Sequence, residues 1–165
     1  MSSSVHPAEL QLPCSIAPFV PQSQGMCLLD RIVAVDSDSL VADVIPSADD
    51  VFATDAGIPG WVGLEWMAQA VAAWAGWHAR IHRKPPAIGF LIGSKRFESH
   101  REHLALGRSY QVSVRLDFQA ENGLGHFDGE ILDDEGVRLA HGTLTVFQPP
   151  AEERPEQAAQ QETSP

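Results

Sequence analysis

The sequence predicts an α+β domain in which a curved antiparallel sheet wraps around one long central helix. Three observations carry this. Residues 57–80, GIPGWVGLEWMAQAVAAWAGWHAR, read as a single helix whose residues past Glu65 are apolar on every face, and a helix apolar all round is buried on most sides. Residues 109–118, SYQVSVRLDF, alternate polar and apolar side chains, the period of a half-buried strand. The element order is two strands, this helix and four more strands, which leaves no helical neighbours for a bundle.

In chain order, residues 1–17 carry Ser and Pro and form a flexible N-terminal segment. Residues 27–36 are rich in Leu, Ile and Val and make the first strand. Residues 40–46 make the second, closed by Pro46. An acidic loop with Asp49, Asp50 and Asp55 leads into the helix. Lys84, Pro85 and Pro86 end that helix in a turn. Residues 87–98 form a central strand with Ile88, Phe90, Leu91 and Ile92, and residues 99–107 connect it to the alternating strand. Asn122–Gly123 is a hairpin signal, residues 124–132 return, residues 133–136 turn again, and residues 137–148 finish the meander. The domain therefore spans residues 18–148, and residues 149–165 hold almost no large apolar side chain, as a disordered tail does.

Composition bounds the function. A chain of 165 residues is one domain with room for a sizeable core. Its 22 acidic against 11 basic residues, net −11, argue against nucleic acid or an anionic membrane as partner. The helix falls short of a membrane span, because Glu65 and Gln69 interrupt an apolar run that needs about 20 residues. The first 15 residues lack the charged start and apolar core of a signal peptide. Cys14 and Cys27 have no metal-type spacing and fit free thiols in the cytoplasm. No P-loop, CxxC or GxGxxG after a strand occurs, so no metal and no cofactor is expected. A basic group of Arg80, His82, Arg83, Lys84, Lys95, Arg96 and Arg101 reads equally as a docking patch or as a solvated helix end.

Chemistry enters where the helix begins. A Pro near the first helical position is pre-organised for helix entry, and the amides of Gly60, Trp61 and Val62 then make a partly positive site for an oxyanion. Glu65 follows one turn later among Trp61, Leu64, Trp66 and Met67. A carboxyl beside such amides is an acid–base site or a glutamate that only stabilises its own helix, and composition by itself favours the second.

The spacing in PGWVGLEWMAQ, residues 59–69, resembles the P-G-x-x-x-x-[E/D]-x-M-x-Q signature of hot-dog-fold 3-hydroxyacyl-ACP dehydratases. Gly76–Trp77 and IGFLIGSKRFES, residues 88–99, are similar to the later helix and next strand of that family. GIPGWVGLEWMAQ with AAWAGWH is nearer still to the dehydratase-like subunits of aryl-polyene biosynthesis systems. The resemblance covers residues 18–148. It implies dehydration of a 3-hydroxyacyl thioester to a 2-enoyl thioester on an acyl carrier protein, and an active site that straddles a dimer. Glu65 is the implied acid and Gln69 orients it or holds a water. The backbone amides of Gly60 and Trp61 polarise the thioester carbonyl, and Trp61, Leu64, Trp66 and Phe90 line the substrate tunnel.

One departure decides how that resemblance is read. The family's catalytic His stands eight positions before the Pro, and here that position is Val51. No histidine occurs between His6 and His78, and Gln22–Ser23 stand where relatives carry a His-Arg pair. Loss of a general base costs about 10²–10⁴ in rate. The expectation is a base-lacking subunit of a complex with a second, His-bearing hot-dog dehydratase. The alternatives are a homodimeric dehydratase, a purely stabilising subunit, and an acyl-CoA or acyl-ACP thioesterase working with a helix carboxylate and amides. His78 and His82, His100 and His103, and His126 and His141 receive structural readings.

Overall fold

The computed structural model describes residues 10–85 and 89–149. Nine strands and one helix make the domain: β1 Cys14–Ser15, β2 Arg31–Val35, β3 Ser39–Val44, β4 Ile58–Pro59, α1 Val62–Ile81, β5 Phe90–Ser99, β6 His103–Leu104, β7 Tyr110–Gln119, β8 Leu124–Leu132 and β9 Arg138–Phe147. Seven strands form one antiparallel sheet in the order β1-β2-β3-β7-β8-β9-β5, and β4 pairs with β6 beside it. The sheet wraps α1, as the sequence predicts.

Burial follows the two periods. Tyr110, Val112 and Val114 of β7, and Phe127 and Ile131 of β8, point inward, while Gln111, Arg115 and Asp128 between them are exposed. Val62, Trp66, Met67, Ala70, Ala73 and Trp77 of α1 meet them in a single core. Every residue from 62 to 79 is buried or half-buried. A stripe of Leu64, Ala68, Ala72, Ala75 and Ala79 is only half covered by this chain's own sheet. Gly76 lies against the Phe19 backbone so closely that an added Cβ would stand 2.1 Å from the Phe19 carbonyl oxygen, and Trp77 packs on the Phe19 ring at 5.4 Å.

Four expectations shift. The ordered domain begins before residue 18, since Cys14–Ser15 pairs with β2 and Ile16 is 1% exposed; residues 1–9 and 150–165 lie outside the described residues. The first strand begins at Arg31 rather than residue 27, because the Leu28 N–H is taken by the Gln69 side chain instead of a neighbouring strand. The short pair β4 and β6 was not foreseen, as two residues show no period. The strand expected to be central is an edge, since β5 stands last in the sheet and pairs with β9. Across the β2–β3 ladder Arg31 grips Asp43, with Nη2 2.5 Å from Oδ2, while Asp30 Oδ2 accepts the Ile45 N–H.

Candidate active site at the helix entrance

The Pro59–Gly60 pair enters α1 through the β4–β6 ladder. Ile58 faces Leu104 and Pro59 faces His103, and one step further the Gly60 N–H donates to the Glu102 carbonyl at 2.8 Å. Only glycine fits there, since a Cβ would stand 2.2 Å from the Arg101 carbonyl oxygen and 2.4 Å from Ser99 Oγ. The sequence reading of a free Gly60 amide is therefore corrected: tertiary pairing commits it. The N–H groups of Trp61 and Val62 have no acceptor among the described residues, as the first amides of a helix do not. The available oxyanion donors are thus Trp61 and Val62.

Glu65 is half-buried one turn inside this entrance. Its Oε1 accepts a 3.2 Å hydrogen bond from Gln69 Nε2. Gln69 is wholly buried; the same Nε2 donates to the Met26 carbonyl at 2.9 Å and its Oε1 accepts the Leu28 N–H at 2.9 Å. An amide fastened at both ends has one orientation, so Glu65 is held by a fixed donor. Gln69 thus touches Glu65 directly.

The aromatic residues divide. Trp61 is 61% exposed and meets the Phe52 ring edge-on at 5.4 Å, which ties the loop before the helix to its N-terminus. Trp66 is a core residue, 2% exposed, packed against Tyr110, and Leu64 is half-buried against the core. Phe90 opens β5, and its side chain lies outside the described residues. Two cavities, of about 530 and 160 Å³, lie elsewhere: one on the outer sheet face around Arg96, Arg115, Arg138 and His141, the other beside Arg101, His103 and Arg108. Neither is lined by Glu65, Trp61, Leu64 or Trp66.

Val51, where the family's histidine stands, is 56% exposed in the loop beside Phe52. Its side chain holds no proton acceptor. The basic group foreseen from sequence is spread over three places: Arg80 over the Phe19 ring, Arg96 at the outer cavity and Arg101 at the smaller one. Of the histidines, the His78 Nε2–H donates to the Asp36 carbonyl and the His82 Nδ1–H to the His78 carbonyl. No helix among the described residues is long and apolar enough to cross a membrane.

The comparisons agree with this geometry. A chain of the dehydratase heterocomplex ApeI:P from Xenorhabdus doucetiae is 28% identical and superposes with a TM-score of 0.78, over 87% of this chain and 95% of that one. The PaaI protein of the E. coli phenylacetic acid degradation operon is 14% identical, with a TM-score of 0.54 over 71% and 77% of the two chains. A hypothetical thioesterase protein with coenzyme A from Streptococcus pneumoniae is 13% identical, with a TM-score of 0.54 over 71% and 86%. These last two share the fold alone. No curated protein matches. The family model described as ApeP-like, ApeP dehydratase, matches residues 14–160: the chain has the hot-dog fold and belongs to the ApeP-like dehydratase family.

Proposed function

We propose that this dehydratase-like chain is the base-lacking subunit of a heteromeric 3-hydroxyacyl-ACP dehydratase, serving polyene-type acyl chain synthesis. The observation that carries the reading is the divided site: Glu65 is fastened by Gln69 beside two free helix amides, while the loop before the helix bears an exposed Val51 in place of a base. In this reading the thioester carbonyl accepts the Trp61 and Val62 N–H groups, which stabilise the enolate that forms when a base removes the C2 proton. The base is a histidine of the partner subunit. Glu65 gives its proton to the departing C3 hydroxyl, which leaves as water.

Three features support a partner. The ApeI:P structure, to which this chain is similar, is a dehydratase heterocomplex. The edge strand β5 is unpaired on one side and exposes Leu91 and Ile92, and such edges are covered in stable proteins. The half-covered Leu64–Ala79 stripe of α1 runs beside Glu65, so a second helix packed on it would close the site from the open side. An acyl tunnel between the subunits would also account for the absence of Glu65 from the two cavities described above.

The test is a mass-spectrometric assay of 3-hydroxyacyl-ACP with the purified chain alone and with a His-bearing hot-dog dehydratase added. Water loss only in the mixture, with the two chains co-eluting, is the expected result. Full turnover by the chain alone overturns the base-lacking assignment, and release of free acid replaces it with a thioesterase.

A further inference from the structure

Glu98, His100 and His141 stand together on the outer face of the sheet. Glu98 of β5 is the direct cross-strand partner of His141 of β9. His100 lies two residues beyond Glu98, where strand alternation returns a side chain to the same face, and its N–H is anchored to the Leu139 carbonyl at 2.7 Å. One donor atom from each of the three falls within 4.8 Å of the others. The two imidazole rings sit 5.5 Å apart, tilted by 31°.

His141 itself is incompletely used. Its Nε2 is 3.7 Å from Glu98 Oε2, too far for a hydrogen bond, and its Nδ1 is shut off from solvent with no partner. Buried polar atoms are ordinarily satisfied, and an orphan calls for an ion or water. His78 and His82, the pair at helical spacing, are by contrast each committed to a backbone carbonyl.

We propose that Glu98, His100 and His141 bind a zinc ion. Two imidazoles and a carboxylate are a zinc donor set, with bonds of about 2.0–2.2 Å that put tetrahedral ligand atoms roughly 3.3 Å apart. Their donor atoms already stand within 4.8 Å of one another, and Glu98 and His100 are exposed, so solvent-facing side chains have only to draw together. The fourth position takes water; of the three ligands, His141 also lines the 530 Å³ cavity with Arg96, Arg115 and Arg138. The ion acts as a clip. It joins β9 to the end of β5, directly before the segment whose Glu102 carbonyl holds the Gly60 N–H and whose His103–Leu104 pairs with Ile58–Pro59. Sequence inspection misses it because the ligands come from two strands about forty positions apart.

The experiment is calorimetric titration of zinc into the full chain freed of metal by chelation, alongside cobalt(II) absorption and thermal unfolding with and without zinc. One equivalent of zinc, a tetrahedral cobalt spectrum and a higher melting temperature with zinc are expected. His100→Gln and Glu98→Gln, both at exposed positions, should each weaken binding at least tenfold and abolish the thermal shift, while His82→Gln leaves both unchanged. Absence of saturable binding overturns the site, as does binding that survives His100→Gln and Glu98→Gln or disappears in His82→Gln.

Discussion

The helix half and the loop half of the candidate site differ in what else their residues do. On the helix, Gly60 permits a backbone approach that no other residue allows, Met67 is wholly buried in the core, and Gln69 fastens the segment around Met26 and Leu28 to α1. On the loop, Val51 is exposed and bonds to nothing. Most of the family signature is thus required by the fold whatever the chemistry, while the loop position is free to carry or lack a base. The lesson is that a complete helix motif says less about catalysis than its length implies. Glu65 is the informative residue, because among the described residues its carboxylate hydrogen-bonds Gln69 alone.

The comparison is broken most directly at Glu65. In the heteromeric complex, Glu65→Ala should lower the dehydration rate by about 10²–10⁴, while the lost hydrogen bond to Gln69 costs only about 1 kcal/mol of unfolding free energy. Equal losses of rate and stability would return Glu65 to a structural role. Gln69→Leu should behave in the opposite way. It orphans the buried Leu28 N–H, at about 1–3 kcal/mol, and frees the Met26 carbonyl of a half-exposed residue, so chemical unfolding should show a loss of roughly 1–3 kcal/mol even without a partner or substrate.

Smaller effects sharpen the same division. Gly60→Ala places a methyl 2.2 Å from the Arg101 carbonyl and should cost about 1–3 kcal/mol as overpacking does. Amide exchange should speed up at Gly60, whose N–H leaves Glu102. The mildest test lies away from the site. Burial raises the pKa of the Asp30 carboxyl, the Ile45 N–H opposes that rise, and Asp43 and Asp50 add to it. A folded pKa above the unfolded value of about 3.9 favours folding most below that value, and the benefit fades as pH rises through the folded pKa. Asp30→Asn is uncharged and still accepts the Ile45 N–H. It should raise the melting temperature slightly at pH 7, with the gain vanishing below about pH 4.

Regular structure and half the site were legible in the chain itself. The alternation in residues 110–115 and the φ of +93° at Gly123 match the predicted strand and turn, while past the register shift after Leu116 the expected inward Phe118 is 56% exposed. The helix and the hot-dog order follow from periodicity together with the Pro59–Gly60 entry. Val51 in the base position is a fact of one dimension, and no fold alters it.

The sequence by itself therefore determined the longer elements, the family and the valine at position 51, because each rests on residues within a few positions of one another. Tertiary structure decided what the polar groups do. The Gly60 amide is claimed by Glu102, Gln69 reaches back 41 residues to Leu28, Arg31 pairs with Asp43 across two strands, and His141 meets Glu98 and His100. Hydrogen bonds and ligand sets are short-ranged in space but carry no fixed separation along the chain, so only folding could assign their partners.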